Sequence, residues 1–351
     1  MLGTPFEFFV QLHLTESCNL CCRHCYQSEP VTEMNYQELC GVMAEIKRTV
    51  EGWAVDYDMD VSPSLHFTGG EPLLRSDLFS LLSYAWGCGF SVSVMSNGTL
   101  IDSEVAKRMR DIQVADVQVS LDGLESTHDC LRGDGSFRRA LEGVEYLLAE
   151  GVDTNINVTL SRLNMREAER LIQLAEEIGV GGIAFSRLVP CGRGEALTEE
   201  ILSGPELGDF YCMLRDCGKG KTVVVTSRDP LAGVDGLDDG EIPQTDVPVS
   251  GCAAGMFGIT ITADGTIMPC RRMDLPIGNV RRDSFRQVWA DSPVLWSLRT
   301  REQYHDGCQS CYYWPVCRGC RAIALAHARA QGSDDFLGPD PQCYHYRPLA
   351  G

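Results

Sequence analysis

The sequence predicts an α/β fold in which a parallel β-sheet is covered by helices and curves into an open barrel of six strand–helix units. Six apolar runs of strand length alternate with six segments of helical spacing between residues 5 and 217, and this alternation is typical of parallel sheets. Polar residues such as Thr68, Asn97 and Ser120 stand where the apolar runs end, and this edge carries the chemistry in α/β barrels. A doubly wound sheet is the alternative that the same pattern allows.

The strand–helix units follow one another in a regular order. The first run, PFEFFVQLHL, ends at Leu14, and the second runs straight into a glycine pair. Helical segments are assigned from apolar residues three or four positions apart, and one of them ends on Gly151, as helices often do. The predicted strands cover residues 5–14, 64–72, 91–97, 115–123, 154–161 and 182–190, and the predicted helices cover residues 35–52, 77–89, 102–112, 136–151, 164–179 and 204–217.

Changes in composition divide the chain into three parts. We expect the barrel to cover residues 1–226. Residues 227–248 are acidic, rich in Gly and Pro and without periodicity, which predicts a linker or a lid. The remainder, 249–351, begins with two alternating strands around Asp264-Gly265, a pair that favours a two-residue type I′ turn. Short helices are expected around residues 284–300, and another in RAIALAHARA.

Composition excludes several classes of function. No stretch of the 351 residues approaches the ~20 apolar residues of a membrane span, and the N-terminus lacks a signal-peptide profile. A cytoplasmic location without membrane association is therefore expected. The 17 cysteines then indicate metal sites rather than disulfides, because that compartment is reducing. A net charge of −19 argues against nucleic acid as a partner, since binding a phosphate backbone requires a basic surface.

Four cysteines lie within one short loop directly after the first strand. Cys18, Cys22 and Cys25 have the spacing CxxxCxxC, and Cys21 lies between them. Three thiolates this close together can hold an iron–sulfur cluster and leave one iron open to a small molecule. A zinc loop is the alternative reading, although zinc sites more often use CxxC pairs.

A second group of cysteines follows in the C-terminal part. Cys252 and Cys270 bracket the predicted hairpin, and a later block has the spacing C-x2-C-x5-C-x2-C before a last cysteine in GPDPQCY. Two zinc sites are the alternative to iron–sulfur clusters here, because CxxC pairs alone allow both. The cysteines of this second part are Cys252, Cys270, Cys308, Cys311, Cys317, Cys320 and Cys343.

Together these motifs resemble those of the radical S-adenosylmethionine (SAM) enzymes that carry a C-terminal SPASM domain. The resemblance implies a partial (β/α)6 TIM-like barrel followed by a small cysteine-rich domain, which consists of a β-hairpin and short helices. It implies that Cys18, Cys22 and Cys25 hold a 4Fe–4S cluster whose open iron binds SAM. The loop GGEP would bind the amino group of SAM. The residues implied to face SAM are His24, Tyr26, Gly69, Gly70, Glu71, Pro72, Asn97, Ser120, Arg132, Asn157 and Leu188. Of these, Arg132 is expected in the loop before the fourth helix.

The same resemblance assigns the C-terminal cysteines to two auxiliary iron–sulfur clusters. One cluster would take Cys252, Cys270 and Cys320, which leaves one iron for water, another side chain or substrate. The other would take four thiolates, from Cys308, Cys311, Cys317 and Cys343. This chain departs from the usual spacing, since CRGC has two residues between its cysteines where three are usual.

These features predict an enzyme that cleaves SAM to a 5′-deoxyadenosyl radical and abstracts hydrogen from a substrate. Relatives mostly modify ribosomally made peptides, so a peptide maturase is the first expectation. A small-molecule substrate, the side chain of a tetrapyrrole, is the alternative. An electron donor such as flavodoxin or ferredoxin is the expected partner. Cys191, just after the sixth strand, is a candidate hydrogen-atom donor to the substrate radical. An iron–sulfur electron carrier or a zinc scaffold is the non-enzymatic alternative.

Overall fold

The computed structural model describes residues 5–27, 31–237 and 241–347. The strands are β1 (Phe6–His13), β2 (Val61–Thr68), β3 (Ser91–Ser96), β4 (Asp116–Ser120), β5 (Thr154–Leu160), β6 (Gly182–Arg187), β7 (Val224–Ser227), β8 (Gly258–Ile261), β9 (Thr266–Met268) and β10 (Gly278–Asn279). The helices are α1 (Tyr36–Asp56), α2 (Leu78–Gly87), α3 (Ser103–Ile112), α4 (Glu125–Arg132), α5 (Ser136–Ala149), α6 (Ala168–Ile178), α7 (Gly204–Cys217), α8 (Phe285–Asp291), α9 (Pro293–Arg299) and α10 (Arg321–Ala330). None of the helices in these ranges combines the length and apolar character that crossing a membrane requires.

The ten strands form one sheet in the order β10-β9-β8-β1-β2-β3-β4-β5-β6-β7. Strands β1 to β7 are neighbours in chain order, and each pairs with the next in parallel. A doubly wound sheet would reverse its strand order at a switch point, and this sheet does not. The α/β fold class predicted from the sequence, with its parallel sheet, is confirmed.

The sheet curves around a single interior space. In β1, Phe8, Val10 and Leu12 are buried in the hydrophobic core, whereas the intervening Phe9 and Gln11 line a cavity. This alternation follows from the period of two in a β-strand. The other strands also contribute inward-facing residues to that cavity, namely His66, Met95, Gln118, Asn157, Ser186 and Thr260. Strands from β1 to β6 and β8 therefore surround one space, as in an open barrel.

Capping residues explain where the longer helices begin. At α1, the Asn35 side chain accepts from the Glu38 backbone N–H at 3.0 Å, and the Glu38 carboxylate accepts from the Asn35 N–H at 2.8 Å. This reciprocal pair satisfies two N–H groups that a helix N-terminus leaves without partners. The same arrangement joins Ser203 and Glu206 at α7. One expectation was wrong: residues 125–132 form α4, a helix that apolar spacing alone did not indicate, so Arg132 ends a helix instead of lying in a loop.

The C-terminal hairpin differs from the expectation in two ways. Thr262 donates its N–H to the Thr266 carbonyl, so three residues form the loop, and of these only Gly265 has a left-handed backbone (φ +87°). A type I′ turn needs two such residues, and Asp264 is not one of them, so a three-residue loop replaces the expected turn. The hairpin is also not separate from the barrel, because β8 pairs in parallel with β1.

The segment 227–248 is fixed at its start by a buried ion pair. Asp229 accepts from Arg187 Nε at 2.5 Å, and Arg187 also donates to the Asp340 carboxylate at 2.7 and 3.0 Å. All three residues are buried, and Leu231 and Val234 join the hydrophobic core. This part of the expected linker is therefore packed against the end of β6; residues 238–240 lie outside the described residues. The domain boundaries at 226 and 249 remain a proposal.

We expect Arg187→Met to lower the free energy of unfolding by roughly 3–5 kcal/mol, because it leaves two carboxylates buried without their cation. Urea unfolding of the anaerobically purified protein would measure this loss. Arg162→Met is the matched control: Arg162 pairs with Glu206 at 2.7 Å on the surface, where such pairs contribute about 0–1 kcal/mol. Equal effects of the two substitutions would contradict a structural role for the buried network.

Candidate functional site

A cavity of about 520 Å³ lies inside the barrel and opens at the carboxyl ends of its strands. Its lining includes the loop that follows β1 and residues from the C-terminal part of the chain. Most of the residues singled out in the sequence are among those lining it. These are Cys18, Cys22, His24, Cys25, Tyr26, Gly69, Gly70, Asn97, Ser120, Arg132, Asn157, Leu188, Cys252, Cys270 and Cys320.

The thiols of the first loop lie close to one another and differ in burial. Cys18 is exposed, Cys25 is half-buried and Cys22 is buried. Burial raises the pKa of Cys22 to about 11, the nearby Arg132 guanidinium opposes this rise, and charge on Cys25 and Cys18 adds to it. Cys21 is exposed and is not among the described residues that line the cavity. The spacing CxxxCxxC thus brings its own three cysteines to one place.

Two groups beside these thiols suit a negatively charged iron–sulfur cluster. Asn97 Nδ2 lies 3.9 Å from the Cys18 thiol, and Arg132 Nη1 lies 3.9 Å from the Cys22 thiol. An amide N–H and a guanidinium ion both stabilise the negative charge that thiolates bring to such a cluster.

The two glycines of GGEP are required by a close contact between two backbones. A Cβ atom at Gly69 would lie 2.3 Å from the Thr15 carbonyl oxygen, and one at Gly70 would lie 2.1 Å from that of Ser17. Gly70 N–H donates to Thr15 O at 2.7 Å, and so the GGEP loop is bonded to the start of the cysteine loop. The close approach expected of these glycines is thus made to the cysteine loop itself.

Glu71 and Pro72 are not among the described residues that line the cavity. The Glu71 carboxylate is fully buried and accepts hydrogen bonds from Ser96 Oγ, Asn97 N–H and Leu73 N–H at 2.8 to 3.2 Å. Burial raises its pKa to about 7, although these bonds oppose the rise. Pro72 begins a short 3-10 helix behind the loop. Both residues position the GGEP loop, and a contact of either with SAM stays a prediction.

Asp122 connects the end of β4 to the cysteine loop. Its fully buried carboxylate accepts from His24 Nε2 at 3.1 Å, from Arg132 Nε at 2.5 Å and from the Thr159 N–H at 2.7 Å. Burial would raise the pKa of Asp122, but the Arg132 guanidinium and the hydrogen bond from His24 outweigh it and hold that pKa well below its usual range. His24 and Arg132 are thereby fixed beside the thiols.

The remaining predicted SAM contacts lie at successive strand ends. Asn97 follows β3 and donates to Asn19 Oδ1 at 2.8 Å, Ser120 ends β4, and Asn157 in β5 accepts from Ser186 Oγ at 3.1 Å. Leu188 comes one residue after β6 and is buried. The Tyr26 ring lies below the Arg271 guanidinium, and burial raises the pKa of the Tyr26 hydroxyl to about 12. Their roles toward SAM stay predictions, but all of them face the same cavity.

The seven C-terminal cysteines divide into two groups in space. Cys252, Cys270 and Cys320 line the cavity, and burial raises the pKa of Cys320 to about 12. The remaining four are not among the described lining residues. In that second group, burial raises the pKa of Cys308, and charge on Cys343 and Cys311 raises it further. Burial likewise raises the pKa of Cys317, and charge on Cys343 adds to that rise. The division into three and four follows the grouping implied by the resemblance.

Cys191 is placed differently from what its predicted role requires. It is half-buried and is not among the described residues that line the cavity. It packs instead against the buried group that also contacts Cys252 and Cys270 and contains Cys320. A hydrogen donor to a substrate radical must reach the substrate, so the structure gives this role no support.

Sequence reasoning missed several residues of the cavity wall. Arg228 lies in the segment that composition marks as acidic, and Arg272 follows the expected ligand Cys270; both line the cavity. Gln27 lines it too, and both polar atoms of its amide are buried without a described partner. In the sequence, Gln27 stands two residues after Cys25, and this position could have indicated that its side chain faces the cavity.

Comparisons with known proteins agree with this geometry. The model of the radical SAM superfamily matches residues 12–175, and that of the SPASM iron–sulfur cluster-binding domain matches residues 252–321. The chain is 31% identical to the AdoMet-dependent heme synthase of Nitratidesulfovibrio vulgaris over 99% of this chain and 94% of that protein. It is 30% identical to the mycofactocin maturase MftC of Mycobacterium ulcerans over 94% of this chain and 86% of that protein.

The fold is also found among solved structures. Streptococcus suis SuiB bound to S-adenosylmethionine superposes with a TM-score of 0.76 and 17% identity, covering 97% of this chain and 77% of that one. At this level of identity the likeness concerns the fold.

Replacing Cys18, Cys22 and Cys25 together with Ala should abolish reductive cleavage of SAM, because no thiolates then remain to hold the cluster. Formation of 5′-deoxyadenosine under dithionite measures the cleavage. Cys21→Ala is the control within the same loop and should retain it, since Cys21 does not face the cavity. Cleavage by the triple variant would show that other residues hold the cluster.

Asp122→Asn should slow SAM cleavage about 10–100-fold, because Asp122 fixes His24 and Arg132 beside the cysteines. Loss of such a residue behind a metal site commonly has an effect of this size. The Asn amide is neutral and has one oxygen instead of two, so it neither offsets the charge of Arg132 nor accepts hydrogen bonds from His24 and Arg132 as the carboxylate does. Asp102→Asn is the control, because Asp102 caps α3 on the surface and Asn caps helices equally well. An unchanged rate in Asp122→Asn with full iron content would contradict the positioning role.

Proposed function

The chain belongs to the radical SAM superfamily and carries a SPASM iron–sulfur domain, and on this basis we propose that it oxidises a carboxylate-bearing side chain of a tetrapyrrole. It is an enzyme that uses SAM, a 4Fe–4S cluster and auxiliary iron–sulfur clusters. The cofactors supply the radical chemistry, and the protein binds and orients the reactants and excludes water.

One observation carries the reaction type. A single cavity is lined both by Cys18, Cys22 and Cys25 and by Cys252, Cys270 and Cys320. A substrate in this cavity has access to the group that starts the radical reaction and to a group that can take up an electron.

The proposed reaction balances in atoms and electrons. One electron from outside cleaves SAM to methionine and the 5′-deoxyadenosyl radical, which takes a hydrogen atom from a propionate carbon and becomes 5′-deoxyadenosine. The substrate radical then releases carbon dioxide and one electron, which leaves a carbon–carbon double bond. Cys252, Cys270 and Cys320 would hold an auxiliary iron–sulfur cluster that could take up that electron.

The charge of the cavity wall supports a substrate with carboxylates. Five arginines line the cavity, namely Arg132, Arg187, Arg228, Arg271 and Arg272, against one carboxylate, Asp229. Asp122 and Asp229 pair with Arg132 and Arg187, and Arg271 is close to Glu16. Arg228 has no described carboxylate partner, so it can bind a carboxylate of SAM or substrate. Arg272 lies beside the thiols of Cys270 and Cys320, where it offsets their charge.

Two substrate classes fit the relatives, and the cavity favours one. The heme synthase match extends over nearly the full length of both proteins, and tetrapyrroles carry several carboxylates each. A peptide is the second candidate, favoured by the match to the mycofactocin maturase. A peptide would need an acidic residue or its C-terminal carboxylate at the same arginines. Flavodoxin or ferredoxin as electron donor and a cytoplasmic location belong to this proposal as well.

Anaerobic turnover with SAM and dithionite separates the two classes. Iron coproporphyrin III is offered in one reaction, and a precursor peptide encoded beside the gene in another. Formation of 5′-deoxyadenosine in step with a mass loss in the porphyrin supports the proposal. Modification of the peptide with the porphyrin unchanged would replace it with the peptide reading.

Arg228→Gln should raise the KM for the carboxylate substrate roughly 10–100-fold, since a hydrogen bond to a charged group contributes about 1.5–3 kcal/mol. The turnover number kcat should fall less, because Arg228 makes no described contact with the cysteine loop that holds the radical cluster. Arg170→Gln is the control: Arg170 pairs with Glu177 on the outer face of α6. Equal KM values in both variants would exclude Arg228 from substrate binding.

A further inference from the structure

The auxiliary group Cys252, Cys270 and Cys320 is one thiolate short of a complete set. A 4Fe–4S cluster has four irons, and each binds one ligand beyond the sulfides. The second auxiliary group supplies four cysteines, whereas this one supplies three within the SPASM region. We propose that Cys191, a residue of the barrel, supplies the fourth thiolate to this cluster.

Packing places Cys191 with the three cysteines. Cys191, Cys252 and Cys270 all contact one small buried group, which is separate from the main hydrophobic core of the protein. Cys320 itself belongs to that group. Its members are Val189, Ala254, Met273, Cys320, Ala322, Ile323 and Leu325. Four cysteines from three different segments of the chain therefore meet around one set of apolar side chains.

Electrostatic neighbours of Cys191 agree with this placement. Burial raises the pKa of Cys191 to about 11, the Arg272 guanidinium opposes the rise, and charge on Cys270 adds to it. Charge on Cys270 and Cys320 raises the pKa of Arg272, so Arg272 lies near these two thiols as well. Four thiolates bring more negative charge to a cluster than three do, and Arg272 is positioned to offset it.

The backbone around Cys191 is held in place from both sides. Cys191 donates its N–H to the Val189 carbonyl at 2.9 Å, and its own carbonyl accepts from Gly194 at 3.1 Å. Arg193 N–H then bonds the Cys25 carbonyl at 2.9 Å. At Gly192 the backbone is left-handed (φ +55°), and a Cβ there would lie 2.9 Å from Cys25 O. The loop that carries Cys191 thus contacts the first cysteine loop as well as the auxiliary cysteines.

This assignment changes what the auxiliary cluster can do. With three thiolates, one iron would be open to a substrate. With Cys191 as the fourth ligand, every iron has a protein ligand, and the cluster transfers electrons without binding substrate. It also accounts for a thiol at the end of β6 that does not face the cavity.

The test is spectroscopic and needs neither SAM nor substrate, so it is independent of the proposed substrate class, although it rests on the auxiliary clusters. The full-length Cys18/Cys22/Cys25→Ala protein, which lacks the radical cluster, serves as the parent. Cys191→Ala, Cys191→Ser and Cys88→Ala are each added to it. Cys88 is the matched control. It is half-buried like Cys191, but it lies at the end of α2 and is not among the residues that contact the buried group around Cys320. Iron content and the EPR spectrum of the reduced protein are measured with and without cyanide, a small ligand for open iron.

We expect the parent and the Cys88→Ala protein to give the same spectrum with and without cyanide. Cys191→Ala should lose up to about half of the remaining iron, or keep it with a spectrum that cyanide shifts, because one iron is then open. Cys191→Ser should lie between the two, since an oxygen ligand holds iron less firmly than sulfur. A parent spectrum that already shifts with cyanide, or a Cys191→Ala protein that matches Cys88→Ala in iron and spectrum, would overturn the assignment.

Discussion

The buried charge of Arg187 determines how the barrel and the cysteine-rich part fit together. A guanidinium ion removed from water must be paired, and Arg187 at the end of β6 is paired with Asp229 and Asp340. Asp340 also accepts the backbone N–H of Cys320 at 2.8 Å. The position of one auxiliary cysteine is therefore tied to the end of a barrel strand, with a single carboxylate between them.

Asp122 has the corresponding role for the first cysteine loop. Both sites pair a buried carboxylate with a buried arginine, and in both the carboxylate also bonds the segment that carries a cysteine. Thiolates brought together repel one another, and the buried arginines Arg132 and Arg272 reduce this repulsion. The cations of an otherwise acidic chain are thus concentrated where negative charge is gathered.

The sequence was sufficient for features that depend on local patterns. The alternation of the first six strands with helices, the cysteine spacings and the bounds of α7 all follow from periodicity, capping and residue identity. What it did not reveal depends on contacts between distant segments. Arg132 was assigned to a loop because α4 carries few apolar residues. Arg228 was not singled out because it lies in a segment that is acidic as a whole. The pairing of β8 with β1 joins residues about 250 positions apart, and no local signal encodes it.

The open barrel explains why both thiol groups can reach one cavity. A closed ring of eight strands would fill its interior with side chains, whereas here β8 joins β1 from the C-terminal part and brings Cys252 and Cys270 beside the cavity. The substrate space is consequently bounded by two redox groups that belong to different parts of the chain. Electron entry and electron exit can then use two different groups of thiols, so the substrate radical need not return its electron to the group that started the reaction.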